Sequence, residues 1–436
     1  MKKWFSKKLS ISFVISLALV VTLFSVIYAS NFQNQKQARF NFPMQSDDMY
    51  QYPITPDDQV RWKDLGTRKK RLEMCQVPER NLENMSTQGL VETCLNYPFM
   101  IDLFLFNTLQ EGYNRMEEDF NGLQMLRKRR DAGTELLKLY SSISLDELSK
   151  NDMFPAIRLS YIETMLVQES IFNTLSEKEI KTLIKECFEK EQLISEKYSD
   201  IYGCSTTGRL ILKCLHKIDN DFIEIVNTCE EMKNFITTGT IISKNIDAEV
   251  LSEIDNYIYE NYGQVSAQQV TRDDPFFQFK ILCNVSQVTT PRGVNVQAFE
   301  WVSGDYNANQ RQQINSLVKY VYPDVQIVGD PTTKYNCHSY AWYSQSTANR
   351  FWINNPTAYF SGTNRSYNLI INSHLGYIPS SATTGAKVYY VNGDHSAIVW
   401  TRELFLSKWG TGPVVAHRPY QDPYSPTSFS YYTYRY

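Results

Sequence analysis

Histidine is scarce in this 436-residue chain: five occur, and four of them, His338, His374, His395 and His417, follow residue 330, while the fifth is His216. Beside the first of the four stands Cys337, in the run Tyr335-Asn336-Cys337-His338-Ser339-Tyr340-Ala341-Trp342-Tyr343, where a Thr/Asn-rich loop meets an apolar, helix-compatible segment. A thiol at a helix start faces unpaired backbone N–H groups and the positive end of the helix dipole, which favour the nucleophilic thiolate. Such a nucleophile needs a base. Farther along, Val388-Tyr389-Tyr390-Val391-Asn392-Gly393-Asp394-His395-Ser396-Ala397-Ile398-Val399-Trp400 reads as two β runs joined by an Asn-Gly-Asp turn, with His395 opening the second run. A histidine there can reach a cysteine on a packed helix, take its proton and return it to a leaving group. Cysteine and histidine drawn from distant sequence positions are the expected arrangement of a thiol hydrolase.

Two further polar side chains, Ser407 and His417, stand on the strands that follow. The next strands hold Leu404-Phe405-Leu406-Ser407-Lys408-Trp409-Gly410 and Gly412-Pro413-Val414-Val415-Ala416-His417-Arg418-Pro419. Tyr335 and Asn336 are read as substrate-holding positions, with Ser407 and Trp409 lining the site, and the Cys337 backbone N–H as an oxyanion donor. His338 is read as a surface or supporting residue, His374 as structural, and Asp394 as completing the turn.

The surrounding elements must bring these residues together. Residues 74–263 read as an all-helical domain, with apolar residues recurring at three and four. Ser176 and Glu179 form a capping box ahead of a face made by Ile180, Leu183, Ile184, Cys187 and Phe188. Ser144 with Glu147 opens another helix, and a third, over Ala248 to Tyr262, stops at Gly263. Residues 264–290 form a boundary. Residues 291–436 then read as an α+β domain with a small antiparallel sheet, in which Gly293 to Ala298 is a strand and Asn307 to Tyr320 a helix. The Tyr-rich stretch Tyr420 to Tyr436 is expected to add an edge strand.

At Asn-Cys-His-Ser-Tyr-Ala and Gly-Asp-His-Ser-Ala-Ile-Val the chain resembles the papain-like cysteine hydrolases of the NlpC and CHAP types, over Thr289 to Pro419. That resemblance implies a nucleophile on a helix start, Cys337, a histidine on the first strand of a small sheet, His395, and a third polar residue on the next strand that orients the ring; Ser407 and His417 both qualify, and His417, one strand later, is preferred because these families place His, Asn, Gln or an acid there. It also implies hydrolysis of amide bonds in peptidoglycan peptides, without a cofactor. The opening of the helical domain, Met85 to Pro98, resembles a helical module of exported proteins of Gram-positive-type bacteria; no activity follows, although a protein partner for this domain is a fair expectation.

The N-terminus supports export. Met1-Lys2-Lys3-Trp4-Phe5-Ser6-Lys7-Lys8 precedes an uncharged apolar stretch from Ile11 to Ala29, the layout of a signal peptide, with an uncleaved membrane anchor as the rival. Residues 30–73, with Pro43, Pro53 and Pro56, read as a linker, so the body of the protein is expected to be secreted or held at the cell envelope. Hydrophobic residues at 42% against 21% charged exclude a disordered chain, and a formal charge of −3 gives nucleic acid no electrostatic hold. The basic run Arg127-Lys128-Arg129-Arg130 reads as a solvated helix face. Eight cysteines in an exported chain invite disulfides, Cys75 with Cys94 being one pairing to look for. Two rival classes stay open. One is a catalytically inactive envelope-binding module; the other is a metal site built from Cys337, His338, His395 and His417, whose spacing matches no standard zinc pattern.

Overall fold

The helical periodicity forms the helices it predicts. Glu177–Tyr198 is one helix, and Ile180, Leu183, Ile184, Cys187 and Phe188 are all buried along it. Its capping box is closed: Ser176 N donates to Glu179 Oε2 at 2.8 Å and Glu179 N donates back to Ser176 Oγ at 3.4 Å. Ala248–Tyr262 is a helix, and Asn307 caps Ala308–Val321 in a second capping box with Gln310. The computed structural model describes residues 46–145, 154–198, 206–239, 248–262, 283–302, 304–360 and 376–435. The signal segment, the Ser144/Glu147 helix start, the Gly263 stop and His374 lie outside the described residues. No helix among the described residues is long and apolar enough to cross a membrane.

The stretch read as a linker is not one throughout. Gln59–Asp64 and Arg68–Met74 are helices, capped by Asp58 and Thr67, too short for their periodicity to stand out in the sequence. They tie the helical part to the sheet-rich part. Trp62 Nε1 donates to the Val321 carbonyl at 2.8 Å. Arg68 bonds Asp102 at 3.0 Å, Asp119 at 2.8 Å, the Tyr322 hydroxyl at 3.4 Å and Ser425 at 3.1 Å, and Tyr322 in turn donates to Asp102 at 2.6 Å. Residues Ser46–Tyr436 consequently form one compact unit.

Ten strands occur among the described residues: β1 (Cys283–Thr289), β2 (Asn295–Trp301), β3 (Gln326–Gly329), β4 (Phe351–Trp352), β5 (Gly376–Pro379), β6 (Lys387–Val391), β7 (His395–Val399), β8 (Phe405–Lys408), β9 (Val414–His417) and β10 (Ser428–Arg435). β1 begins inside the stretch read as a boundary. Three strands form a small sheet, β1-β2-β4, and seven form a larger one, β3-β9-β8-β7-β6-β10-β5, with every pairing antiparallel. The Tyr-rich tail is therefore not an edge: β10 pairs with β6 through Ser428–Tyr432 and with β5 through Tyr432–Arg435. Alternation explains its place, because Tyr432 packs toward Trp342 and Phe360 while Phe429 packs toward Tyr390 and Phe405, so the strand has apolar rings to bury on both faces.

The cysteines also depart from expectation. Cys75, Cys94, Cys187, Cys214, Cys229 and Cys337 are buried free thiols, so Cys75 and Cys94 are not bridged. Cys75, Cys94, Cys187, Cys214 and Cys229 act as small apolar core groups.

Between the two parts, the turn after β8 presses on the segment at Leu105 and Phe106. Gly410 has φ +47°, and a Cβ there would lie 2.5 Å from the Leu105 carbonyl carbon and 2.6 Å from the Phe106 nitrogen. Gly410→Ala should cost about 1–3 kcal/mol through overpacking and roughly another 1 kcal/mol through left-handed backbone. Urea titration of both proteins reads this directly; coincident midpoints would mean that the two backbones are not in contact in solution.

Candidate active site

Cys337 and His338 open a short helical segment that ends at Tyr343. Asn336 caps it, its Oδ1 accepting from Ser339 N at 3.1 Å and from Ile353 N at 3.2 Å. The same amide donates to the Ile353 carbonyl at 2.9 Å and to Asn107 Oδ1 at 3.0 Å. Fully engaged and fully buried, Asn336 positions the cysteine and has no group left to hold a substrate. Ala341 and Trp342 anchor the segment among Val296 and Ala298 of β2 and rings from the large sheet. Tyr335, expected to contact substrate, stacks instead against Tyr340 and lies under the Lys408 ammonium.

The imidazole beside the thiol is that of His338. Its Nδ1 lies 2.9 Å from Ser396 Oγ, which also accepts from Trp342 Nε1 at 2.8 Å, and its Nε2 lies 3.3 Å from Asp394 Oδ1. Burial works to lower its pKa, but the negative charge Cys337 carries as a thiolate, with the hydrogen bonds to Asp394 and Cys337 and the Asp394 charge, outweighs it and pushes the ring up to about 10. Asp394 shows the reciprocal effect. Partial loss of hydration opposes its charge, yet the bond to His338 and the charge there hold its carboxyl below the ordinary aspartate range. Asp394 has φ +39° in the β6–β7 turn, and its side chain remains 58% exposed. A surface carboxylate, a buried imidazole and a buried thiol thus run inward in sequence.

His395, expected to serve as the base, is differently placed. Successive residues on a strand face opposite ways, and while Ser396 meets His338 and Trp342, the His395 ring stacks on Tyr424 at 3.5 Å and stands edge-on to Tyr390 at 4.8 Å. Neither ring nitrogen has a hydrogen-bond partner among the described residues, so no such bond joins His395 to Cys337 or to His417. Burial, reinforced by the positive charge of His338 and His417, holds its pKa well below the ordinary 6.5. The sign follows from proton uptake. The unfolded chain protonates this histidine below about pH 6.5 while the folded chain resists, so stability is full above that pH and falls as the pH drops through it. His395→Phe should reduce the loss of thermal stability between pH 7.5 and pH 5; an undiminished acid slope in the variant would assign that slope to other groups.

Ser407 and His417 do meet, but away from the thiol. Ser407 Oγ lies 2.9 Å from His417 Nε2 and accepts from Trp409 Nε1 at 2.9 Å, and His417 Nδ1 donates to the Arg418 carbonyl at 2.9 Å. All three side chains are buried. Their hydrogen bonds run to one another and to the Arg418 carbonyl, and among the described residues none joins His417 to His395.

Several neighbours escaped notice in the sequence. Asn107, from the helical part, lies over the thiol: Cys337 Sγ donates to its Oδ1 at 3.9 Å, and its side chain also bonds Asp394. Glu111 holds that segment by accepting from Asn107 N at 3.2 Å; burial, aided by Asp394, pushes its carboxyl up to about 7. Lys408 donates to the carbonyls of Thr332, Gly410 and Gly412 at 3.1, 2.6 and 2.6 Å. Burial drives its ammonium down to about 7 against the pull of Asp305 and Cys337. Among the described residues no group of three or more His, Cys, Asp or Glu side chains is placed to hold a metal ion. Compared with known proteins, the chain matches no family model, no curated sequence and no solved structure.

Proposed function

We propose that Cys337 is the nucleophile of an exported, papain-like thiol hydrolase that cuts amide bonds in cell-wall peptide, with His338 as its acid–base group. One observation carries the reading: a buried thiol beside a buried imidazole whose Nε2 meets the Asp394 carboxylate at 3.3 Å, and whose proton Cys337 and Asp394 together hold. Such a ring stabilises the thiolate and has a proton ready for the leaving group. The sulfur attacks the carbonyl carbon, and the tetrahedral oxygen takes a hydrogen bond from the Cys337 N–H. The C–N bond breaks, His338 gives its proton to the departing amine, and an acyl-thioester remains. Water then attacks that ester, His338 takes a proton from it, and the acid leaves with the thiolate restored. Asp394 orients the ring in both halves. The helical part serves to position the centre or a protein partner.

Cys337 is only 2% exposed. Turnover on this reading requires the Asn107 segment to shift when substrate binds. That same burial favours a second reading, in which the domain holds peptidoglycan without cutting it. Digestion of purified peptidoglycan, with products identified by mass, separates the two. Wild type should release new peptide fragments and Cys337→Ala none. Equal digestion by both would remove Cys337 from the chemistry; no digestion by either, with retained binding to the polymer, would leave the binding module.

A further inference from the structure

Far along the chain from the cysteine, the helical part contains a cavity of about 500 Å³ lined by residues of Glu169–Phe172, Thr206–Ile218 and Glu230–Thr238, with Asn227 between. That volume suits a small organic molecule. Its polar lining is unbalanced: Lys213, Lys217 and Lys233 supply three ammonium groups, and Glu169 the one carboxylate. Glu169 is spent on Lys213 at 2.8 Å. Lys217 meets the neutral Asn173 amide at 3.2 Å, and Lys233 pairs with Glu230, outside the lining, at 3.6 Å with that carboxylate 74% exposed. Phe172 and Ile236, both buried, supply apolar surface on the same lining.

We infer that this cavity binds an organic phosphate, its phosphoryl group among the three lysines and its apolar portion against Phe172 and Ile236. A phosphate monoester presents terminal oxygens to several ammonium donors at once and carries the charge that the lining lacks. His216, which also lines the cavity, already senses this field: burial, then Lys213 and Lys233, lower its pKa. A bound dianion would offset the lysines and raise it.

The test uses the full chain and hexyl phosphate, with inorganic phosphate and hexan-1-ol as controls, read by titration calorimetry and by the pH titration of the His216 ring in NMR spectra. Expected results are saturable binding of hexyl phosphate, weaker binding of inorganic phosphate, none of hexanol, and an upward movement of the His216 midpoint. Lys213→Met with Lys233→Met should weaken binding at least tenfold, whereas the two arginine replacements retain it and Cys337→Ala leaves it unchanged. Absence of saturation, a stationary His216 midpoint, or equal affinity for hexanol overturns the proposal. Should the methionine variant unfold, the arginine variants and the wild-type His216 titration still decide.

Discussion

His338→Gln should lower the turnover of cell-wall peptide by about 10²–10⁴-fold with little change in KM, since it removes the group that moves the proton in both halves of the reaction. His395→Gln should leave the rate within a few-fold, because its ring makes no hydrogen bond among the described residues and packs on Tyr390 and Tyr424. The opposite ranking would return the base to His395 and require the sheet to reopen around it. A pH profile separates a proton-carrying role from a structural one. The folded His338 ring keeps its proton up to about pH 10, so activity that depends on the imidazolium falls as the pH rises through that value. Asp394→Asn removes part of what holds the proton and should move the falling limb to lower pH. A limb that stays put in this variant would show that Asp394 only completes the turn.

The second large effect is on stability. Arg68→Met should destabilise the unit by about 3–5 kcal/mol, because breaking a buried ion pair leaves charge uncompensated. Asp102 is 1% exposed and would keep only its bond from Tyr322. Urea unfolding of the single variant, and of Arg68→Met with Asp102→Leu, reads the size and the cause. The double variant should recover much of the loss, since it removes the stranded carboxylate. A single-variant loss below about 1 kcal/mol would mean that the network is open to water.

The element types in this chain were legible wherever a long period repeats. Glu177–Tyr198 announces itself by its capping box and apolar spacing, the helix at Ala308–Val321 was read from Asn307 to Tyr320, and β6 and β7 show by alternation around Asn-Gly-Asp. The two helices at Gln59–Asp64 and Arg68–Met74 were not legible, because six or seven residues carry less than two turns of pattern and their stability comes from contacts with residues hundreds of positions away. The site was half legible. Cys337 could be singled out by type and flank, but a strand's alternation decides which of Asp394, His395 and Ser396 faces the helix, and sequence alone leaves that phase open. Asn107 and Glu111 were invisible for a different reason: nothing local marks a loop in a helical region as the cover of a thiol in a distant sheet.

The position of β10 inside the large sheet bears on how the protein matures. Until Ser428–Arg435 threads between β6 and β5, the first of these presents a bare edge that another chain can occupy, and the second has no neighbour at all. Among the described strands β10 comes last in chain order, so both edges stay open until it is made. A chain lacking those eight residues keeps both edges open, and such a deletion should raise the aggregated fraction on expression relative to the full chain.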